Sequence, residues 1–213
     1  METYINKIDY INELLIKDKM QLAEEKLQEL KNTIIYDVAI KKCNRNTTKK
    51  DQLISAKELL KNSKKVDDSR ILFHKIYKYD DTFQLCDGFT VVILKNMIDG
   101  LELNTADGEY LDCRKFINRC NINTEYEEIK IDRLEIEQKA IAVRKMKLVT
   151  PALEYQVHIK NSYYNPIYLL RAIKILGTKD VTAYLHTVDS LQPMYFKSEL
   201  GEALVLPIRP PKK

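Results

Sequence analysis

Glycine is scarce, at five in 213 residues. None falls in the GxxxxGK[ST] or GxGxxG spacing that lets backbone N–H groups close around a phosphate, so the common nucleotide-binding loops are excluded. Histidine is scarcer still. His74, His158 and His186 stand far apart, each in an alternating stretch and without HExxH spacing, which nominates none of them as a metal ligand. Cys43, Cys86, Cys113 and Cys120 lack paired close spacing and read as reduced, mostly buried thiols instead of a disulfide frame or a zinc site. No serine sits in a nucleophile elbow, and the acidic pairs Asp67 with Asp68 and Glu127 with Glu128 lie in charged surface stretches. The expectation is a non-enzyme with no catalytic residue, no metal and no cofactor. No apolar run nears the ~20 residues of a membrane span, and the N-terminus has no basic-then-apolar leader, so a cytoplasmic protein with no membrane partner is expected.

What is present suffices for a folded core. The chain is 45% hydrophobic and 31% charged, with Ile, Leu, Val and Tyr spread throughout. Its net charge of +4 permits nucleic-acid binding without announcing it, so the placement of the positive residues matters more than their sum.

Residues 2–43 carry helical periodicity. Tyr4, Ile8, Ile11 and Leu15 form one stripe, and Ala23, Leu27, Leu30, Ile34 and Val38 form another, with the register broken near Asp18. A helical hairpin, or one bent helix, follows from this. It is either an arm packed on the body or an element for binding a partner or oligomerising. The polar stretch 44–50 is the strongest breaker in the chain and divides an N-terminal helical arm, 1–48, from an α+β domain, 49–213. A helix is predicted over 51–64, with Leu53, Ala56 and Leu60 inward and Lys57, Lys61 and Lys64 on another face. Residues 70–79 alternate as a strand, and 83–94 read as strand, Asp-Gly turn, strand. Further on, 113–120 predicts a short helix with Cys113, Phe116, Ile117 and Cys120 inward and Lys115 and Arg119 outward. Residues 127–132 suit a strand. The stretch 133–148 has helical composition but local strand alternation, and strands are preferred here because they would complete a repeat.

Residues 155–209 have the most specific pattern. An alternating strand at 155–159 leads to Asn165 as N-cap and Pro166 at the first helical position, with Gly177 stopping the helix. Stretches 181–187, 193–198 and 202–208 suit antiparallel strands, which makes a β-α-β-β-β unit.

This unit resembles the last half-domain of the bacterial DNA polymerase III β subunit, the sliding clamp. The residues that carry the likeness are Asn165, Pro166, Tyr168, Arg171 and Lys174 in the helix, Asp180 with Val181, Gln192 with Pro193 and Met194, and the terminal Leu204, Leu206, Pro207, Ile208 and Arg209. A looser likeness covers the 51–64 helix, Arg70 with Leu72, and Asp87 with Gly88. The resemblance implies an α+β fold of DNA-clamp-like β-α-β-β-β half-domains with antiparallel sheets, preceded by the helical hairpin. It further implies a DNA-associated replication factor, with duplex DNA, polymerase or repair-protein peptides, or further copies of the chain as partners. The chain is too short to close a ring alone, so closure would take a higher oligomer, and the shortened, lysine-rich form suits a phage or mobile element. Loose phosphate contacts would fall to Lys57, Lys61, Lys64, Lys115, Arg119, Arg171 and Lys174, whose plainer reading is a set of solvated helix faces. By position, the family's peptide pocket maps to Asn165, Tyr168, Leu191, Pro193, Leu204, Leu206, Pro207, Ile208 and Arg209. The alternative is an interaction module of the same fold with no DNA role.

Overall fold

A computed structural model of the chain describes residues 2–43, 47–66, 75–104, 111–147, 151–177 and 180–208. Two helices open the chain, α1 (Glu2–Ile16) and α2 (Met20–Cys43). They reverse at the expected place, where Asp18 takes a left-handed backbone conformation (φ 54°). The next helix, α3 (Thr47–Val66), begins inside the polar stretch that was read as a breaker. Thr and Lys are tolerated in a first helical turn, so polarity there did not prevent helix formation.

A single antiparallel sheet forms the body, in the order β1-β2-β3-β9-β8-β7-β4. Its strands are β1 (Tyr77–Tyr79), β2 (Thr82–Cys86), β3 (Thr90–Leu94), β4 (Tyr126–Ile129), β7 (Thr182–His186), β8 (Met194–Ser198) and β9 (Gly201–Val205). A separate hairpin pairs β5 (Val157–Ile159) with β6 (Ser162–Tyr164) and runs into α7 (Pro166–Ile175). The strand expected at 155–159 is therefore one arm of a hairpin, and its second arm escaped the sequence reading.

Two α-β-β-β meanders can be traced, α3-β1-β2-β3 and α7-β7-β8-β9. They meet where β3 pairs with β9, from Thr90 opposite Val205 to Leu94 opposite Gly201. Matching hydrogen bonds close both ends of this seam, from Lys95 N–H to the Leu200 carbonyl and from Leu206 N–H to the Phe89 carbonyl. The mixed α and antiparallel β class expected from the sequence is present. Among the described residues, 133–147 do not supply the strands that would complete a further repeat.

The stretch 133–148 is where that expectation fails. It forms a helix, α6 (Arg133–Met146), whose N-cap Asp132 accepts a hydrogen bond from Glu135 N–H at 3.1 Å and whose last turn ends on Lys147 in the left-handed region. Ile136, Ala140 and Val143 are buried at the i, i+4, i+7 spacing of a helix face. The short alternation of Leu134 and Ile136 had suggested a strand, but Leu134 faces solvent.

Strand alternation sorts the core onto two faces of the sheet. Leu85, Val92, Leu94, Ala183, Leu185, Met194, Phe196, Ala203 and Val205 face the helices, with α7 flanked by α3 and α6. Cys86, Ile93, Tyr195 and Leu204 face the opposite side, covered by α4 (Arg114–Asn118) and α5 (Ile122–Glu125) through Cys113, Ile117 and Cys120. Buried Gln84 ties this cover to the sheet by accepting a 2.7 Å hydrogen bond from Cys113 N–H. Phe116, expected inward, is exposed, because the helix is only one turn past Cys113 and its inward edge is taken by Ile117. In the N-terminal hairpin the inward residues are Ile11, Leu14, Ala23 and Leu30, while Ile8, Leu15, Leu27, Ile34 and Val38 are exposed. The C-terminal half of α2 packs against the body: Ala39 belongs to the main core, and Asn32 donates to Glu102. No helix among the described residues is long and apolar enough to cross a membrane.

Tyr164 sits at the centre of the main core, fully buried, and burial pushes its phenol up to about 12. An acid whose folded pKa lies above its unfolded value near 10 stabilises the fold fully below pH 10 and loses that contribution as pH rises through 12. Urea unfolding at pH 9 and at pH 11.5 should therefore differ, with roughly 2 kcal/mol of the loss assignable to this group. Tyr164→Phe should remove that share of the pH dependence, and an unchanged slope in the variant would contradict the assignment.

Candidate functional site

The turn between β2 and β3 and the start of α7 build one rigid structure. Arg171 occurs in an otherwise apolar helix segment, PIYLLRAIKI, and lies on the helix side that packs against the turn. It is buried, with 6% of its side chain exposed, and its Nη1 donates to Asp87 Oδ2 at 2.9 Å. The other oxygen of Asp87 holds the turn, accepting from Phe89 N–H at 3.0 Å and Thr90 N–H at 2.7 Å. Gly88 between them takes φ +85°, a conformation that side chains resist. Burial lowers the proton affinity of the guanidinium, and the neighbouring Asp87 carboxylate opposes that.

Beside this buried pair the exposed Phe89 ring meets Tyr168, which is half-buried against the main core. Phe89 stacks on Tyr168, with centroids 5.3 Å apart and planes 14° from parallel, and the Arg171 guanidinium lies 5.6 Å from the Tyr168 ring. The chain leaving β9 passes beside them. Leu206 N–H bonds the Phe89 carbonyl at 2.9 Å, and Ile208 N–H bonds the Tyr163 carbonyl at 2.7 Å, so the tail bridges the β2–β3 turn and the β5–β6 hairpin. Pro193 stands one residue before Met194, whose pairing with Val205 is the last of the ladder. Tyr163 in turn stacks on His158 at 4.5 Å. The backbone thus carries Leu206, Pro207 and Ile208 from Phe89, which stacks on Tyr168, to Tyr163.

Several residues expected in the peptide pocket converge here and others do not. Tyr168, Leu206, Pro207 and Ile208 belong to the group just described, and Pro193 precedes β8 at the end of the ladder. Leu191 is exposed on the β7–β8 turn, which Ser162 holds to the hairpin by donating to the Ser190 carbonyl at 2.9 Å. Asn165 is buried and caps α7, accepting from Ile167 N–H at 3.0 Å, so its role is structural. Leu204 is buried on the other side of the sheet with Ile93 and Tyr195. Alternation was expected to put Leu204, Leu206 and Ile208 on one face, but β9 ends at Val205 and the chain then leaves the sheet. Arg209 lies outside the described residues.

The residues expected to contact DNA are dispersed. Arg171 is not on a polar face, for the reason given above. Lys174, on the same helix, is half-buried and lies 3.5 Å from Asp51. The Lys57 ammonium sits 3.1 Å from the centroid of the Tyr36 ring, and burial pushes its pKa down. Lys61 is exposed on α3, whereas Lys115 and Arg119 are exposed on α4, across the sheet. The side chain of Lys64 lies outside the described residues, as do Arg70, Leu72 and His74. His186 serves its turn, its Nδ1 accepting from Val188 and Asp189 N–H. Two clefts of about 550 and 490 Å³ open elsewhere, one between α3, α7 and the 95–100 loop and one beside α5, and neither is lined by an expected site residue.

The sequence reading missed Phe89 as a surface group and Asp87 as the partner of Arg171. A lone arginine among apolar helix residues was the available signal, because such a charge is buried only with a counter-ion. No protein-family model matches the chain, and no curated protein matches it.

Proposed function

We infer that the protein is an interaction module that binds a short apolar peptide segment of a partner across the Phe89–Tyr168 surface, without catalysis. This is the second of the two roles that the resemblance to sliding clamps implies. The observation that supports it is the exposed Phe89 ring stacked on half-buried Tyr168 beside a buried Arg171–Asp87 ion pair, with exposed Leu206 joined to Phe89 through the backbone. Rigid aromatic groups lose little entropy when a partner covers them, and a backbone held by Asp87 keeps them in place beforehand. The DNA-associated role needs cations gathered on one surface. Here the two cations of α7 are engaged with carboxylates, and those of α3 and α4 lie on opposite sides of the sheet.

The test is fluorescence polarisation of the full chain with labelled six-residue peptides that carry Leu and Phe at alternate positions, run beside a labelled DNA duplex. Binding in the micromolar range is expected for a subset of the peptides, weakened at least tenfold by Phe89→Ala and by Leu206→Asp. Both side chains are already solvent-facing, so folding should persist. Salt-sensitive duplex binding that disappears in Lys61→Glu with Lys115→Glu and Arg119→Glu, with no peptide bound, would overturn this reading in favour of the DNA role.

A further inference from the structure

We propose that the outer face of the α1–α2 hairpin pairs two copies of this chain into an antiparallel four-helix bundle. The hairpin uses one stripe of each helix internally, burying Ile11, Leu14, Ala23 and Leu30 between α1 and α2. A second stripe remains. Ile8, Leu15 and Ile16 on α1, and Met20, Leu27 and Ile34 on α2, are between 41% and 83% exposed. Such a set is large for a solvated surface, since exposed apolar residues are ordinarily scattered singly.

Helix geometry gathers these residues on one side. Ile8, Met20 and Leu27 each stand three residues before a buried neighbour, Ile11, Ala23 and Leu30. Equal offsets on two antiparallel helices that face each other turn both stripes to the same side of the hairpin. The body approaches α2 on a different flank, through Tyr36 and Ala39, and among the described residues none covers this face. Met20, Leu27 and Ile34 recur at seven-residue intervals with Val38 four residues on, which is the seam pattern of helices packed side by side.

Size and charge both indicate a second copy as the occupant. The 24 residues of α2 span about 36 Å and the 15 of α1 about 22 Å, each about 10 Å wide, giving on the order of 600 Å² per copy, which puts a two-copy contact at the lower end of the standard range for stable interfaces. Two charges interrupt the α2 stripe, Glu24 and Lys31, seven residues apart and opposite in sign. A two-fold axis near Leu27, with the two α2 helices antiparallel, brings Glu24 of each copy within a turn of the partner's Lys31, twice over. This face is thus complementary to itself and carries no excess of cations, as a nucleic acid or an anionic membrane would require.

Light scattering and sedimentation equilibrium on the full chain should return twice the 25.0 kDa chain mass at micromolar concentration. Leu27→Lys with Ile34→Lys should weaken association at least a hundredfold while leaving the circular dichroism spectrum unchanged, because both residues are already exposed in the single chain. Glu24→Lys should weaken it less, and adding Lys31→Glu should restore it. A chain that stays monomeric at about 100 µM, where even weak specific contacts register, would overturn the proposal. So would a dimer indifferent to the lysine variants, or a monomer recruited to phosphatidylserine vesicles through this face.

Discussion

Replacing Arg171 with methionine should cost about 3–5 kcal/mol of folding stability, the range for breaking one partner out of a buried ion pair. The methionine would fill most of the space, so the loss would come from the stranded charge. Asp87 has no exposed side-chain surface, and one of its oxygens would lose the guanidinium that donates to it at 2.9 Å. Its other oxygen would still accept from Phe89 and Thr90 N–H, which keeps the carboxylate in place and prevents it from escaping to water. Adding Asp87→Asn should recover part of the loss, since the amide oxygen can hold the turn without a charge, and the two changes should be strongly non-additive. Urea midpoints for the two single variants and the double variant test this. If Arg171 were instead a solvent-facing phosphate contact, the methionine variant would lie within about 0.5 kcal/mol of the wild type, and that result would sink the assignment. The same variant should also loosen the Phe89–Tyr168 surface, so peptide binding and stability should fall together.

Gly201→Ala is expected to have an effect of similar size by a different route. A Cβ at this position would lie 2.0 Å from the Ile93 carbonyl oxygen and 3.0 Å from Leu94 Cα. Both are backbone atoms of the neighbouring strand, with no flexible side chain to swing aside. Relief requires β9 to move away from β3, at the seam where the two meanders join and where Lys95 N–H bonds the Leu200 carbonyl at 3.0 Å. Overpacking of this kind costs about 1–3 kcal/mol in side-chain cores and more against backbone, so about 3 kcal/mol and a fall in Tm of roughly 10 °C are reasonable for a chain of this length. Gly88→Ala serves as the comparison. Nothing lies within 4 Å of a Cβ there, and only its φ of +85° resists, which should cost about 1–2 kcal/mol. Equal melting temperatures for the two variants would contradict the account of the seam.

The hairpin face and the aromatic surface lie on different parts of the molecule, and their tests are independent. A dimer formed through the hairpins would present two peptide surfaces, each still open because the tail 206–208 and the β2–β3 turn take no part in the helical contact. Association of a partner with two sites would then gain from the second site acting at high effective concentration.

Local signals were sufficient wherever one short stretch determined its own structure. Asn165 and Pro166 announced the start of α7, Asp18 marked the reversal of the hairpin, and alternation around Asp87 and Gly88 announced β2 and β3. Each depends on capping, turn or period-two chemistry that acts within a few residues. Residues 133–148 show the limit of that logic, since alternation over three or four residues does not outweigh a helix face defined by Ile136, Ala140 and Val143 against the body. The second arm of the β5–β6 hairpin was too short, at Ser162–Tyr164, to leave a period. Which face of α7 meets solvent was decided by packing alone. Amphipathic spacing put Arg171 outside, but α3 and α6 flank the helix and the carboxylate of Asp87, 84 positions away in sequence, makes burial of the charge tolerable. Pairing at that distance, like the meeting of Phe89, Tyr168 and Leu206, depends on how strands and helices come together. Composition and periodicity carry no record of it.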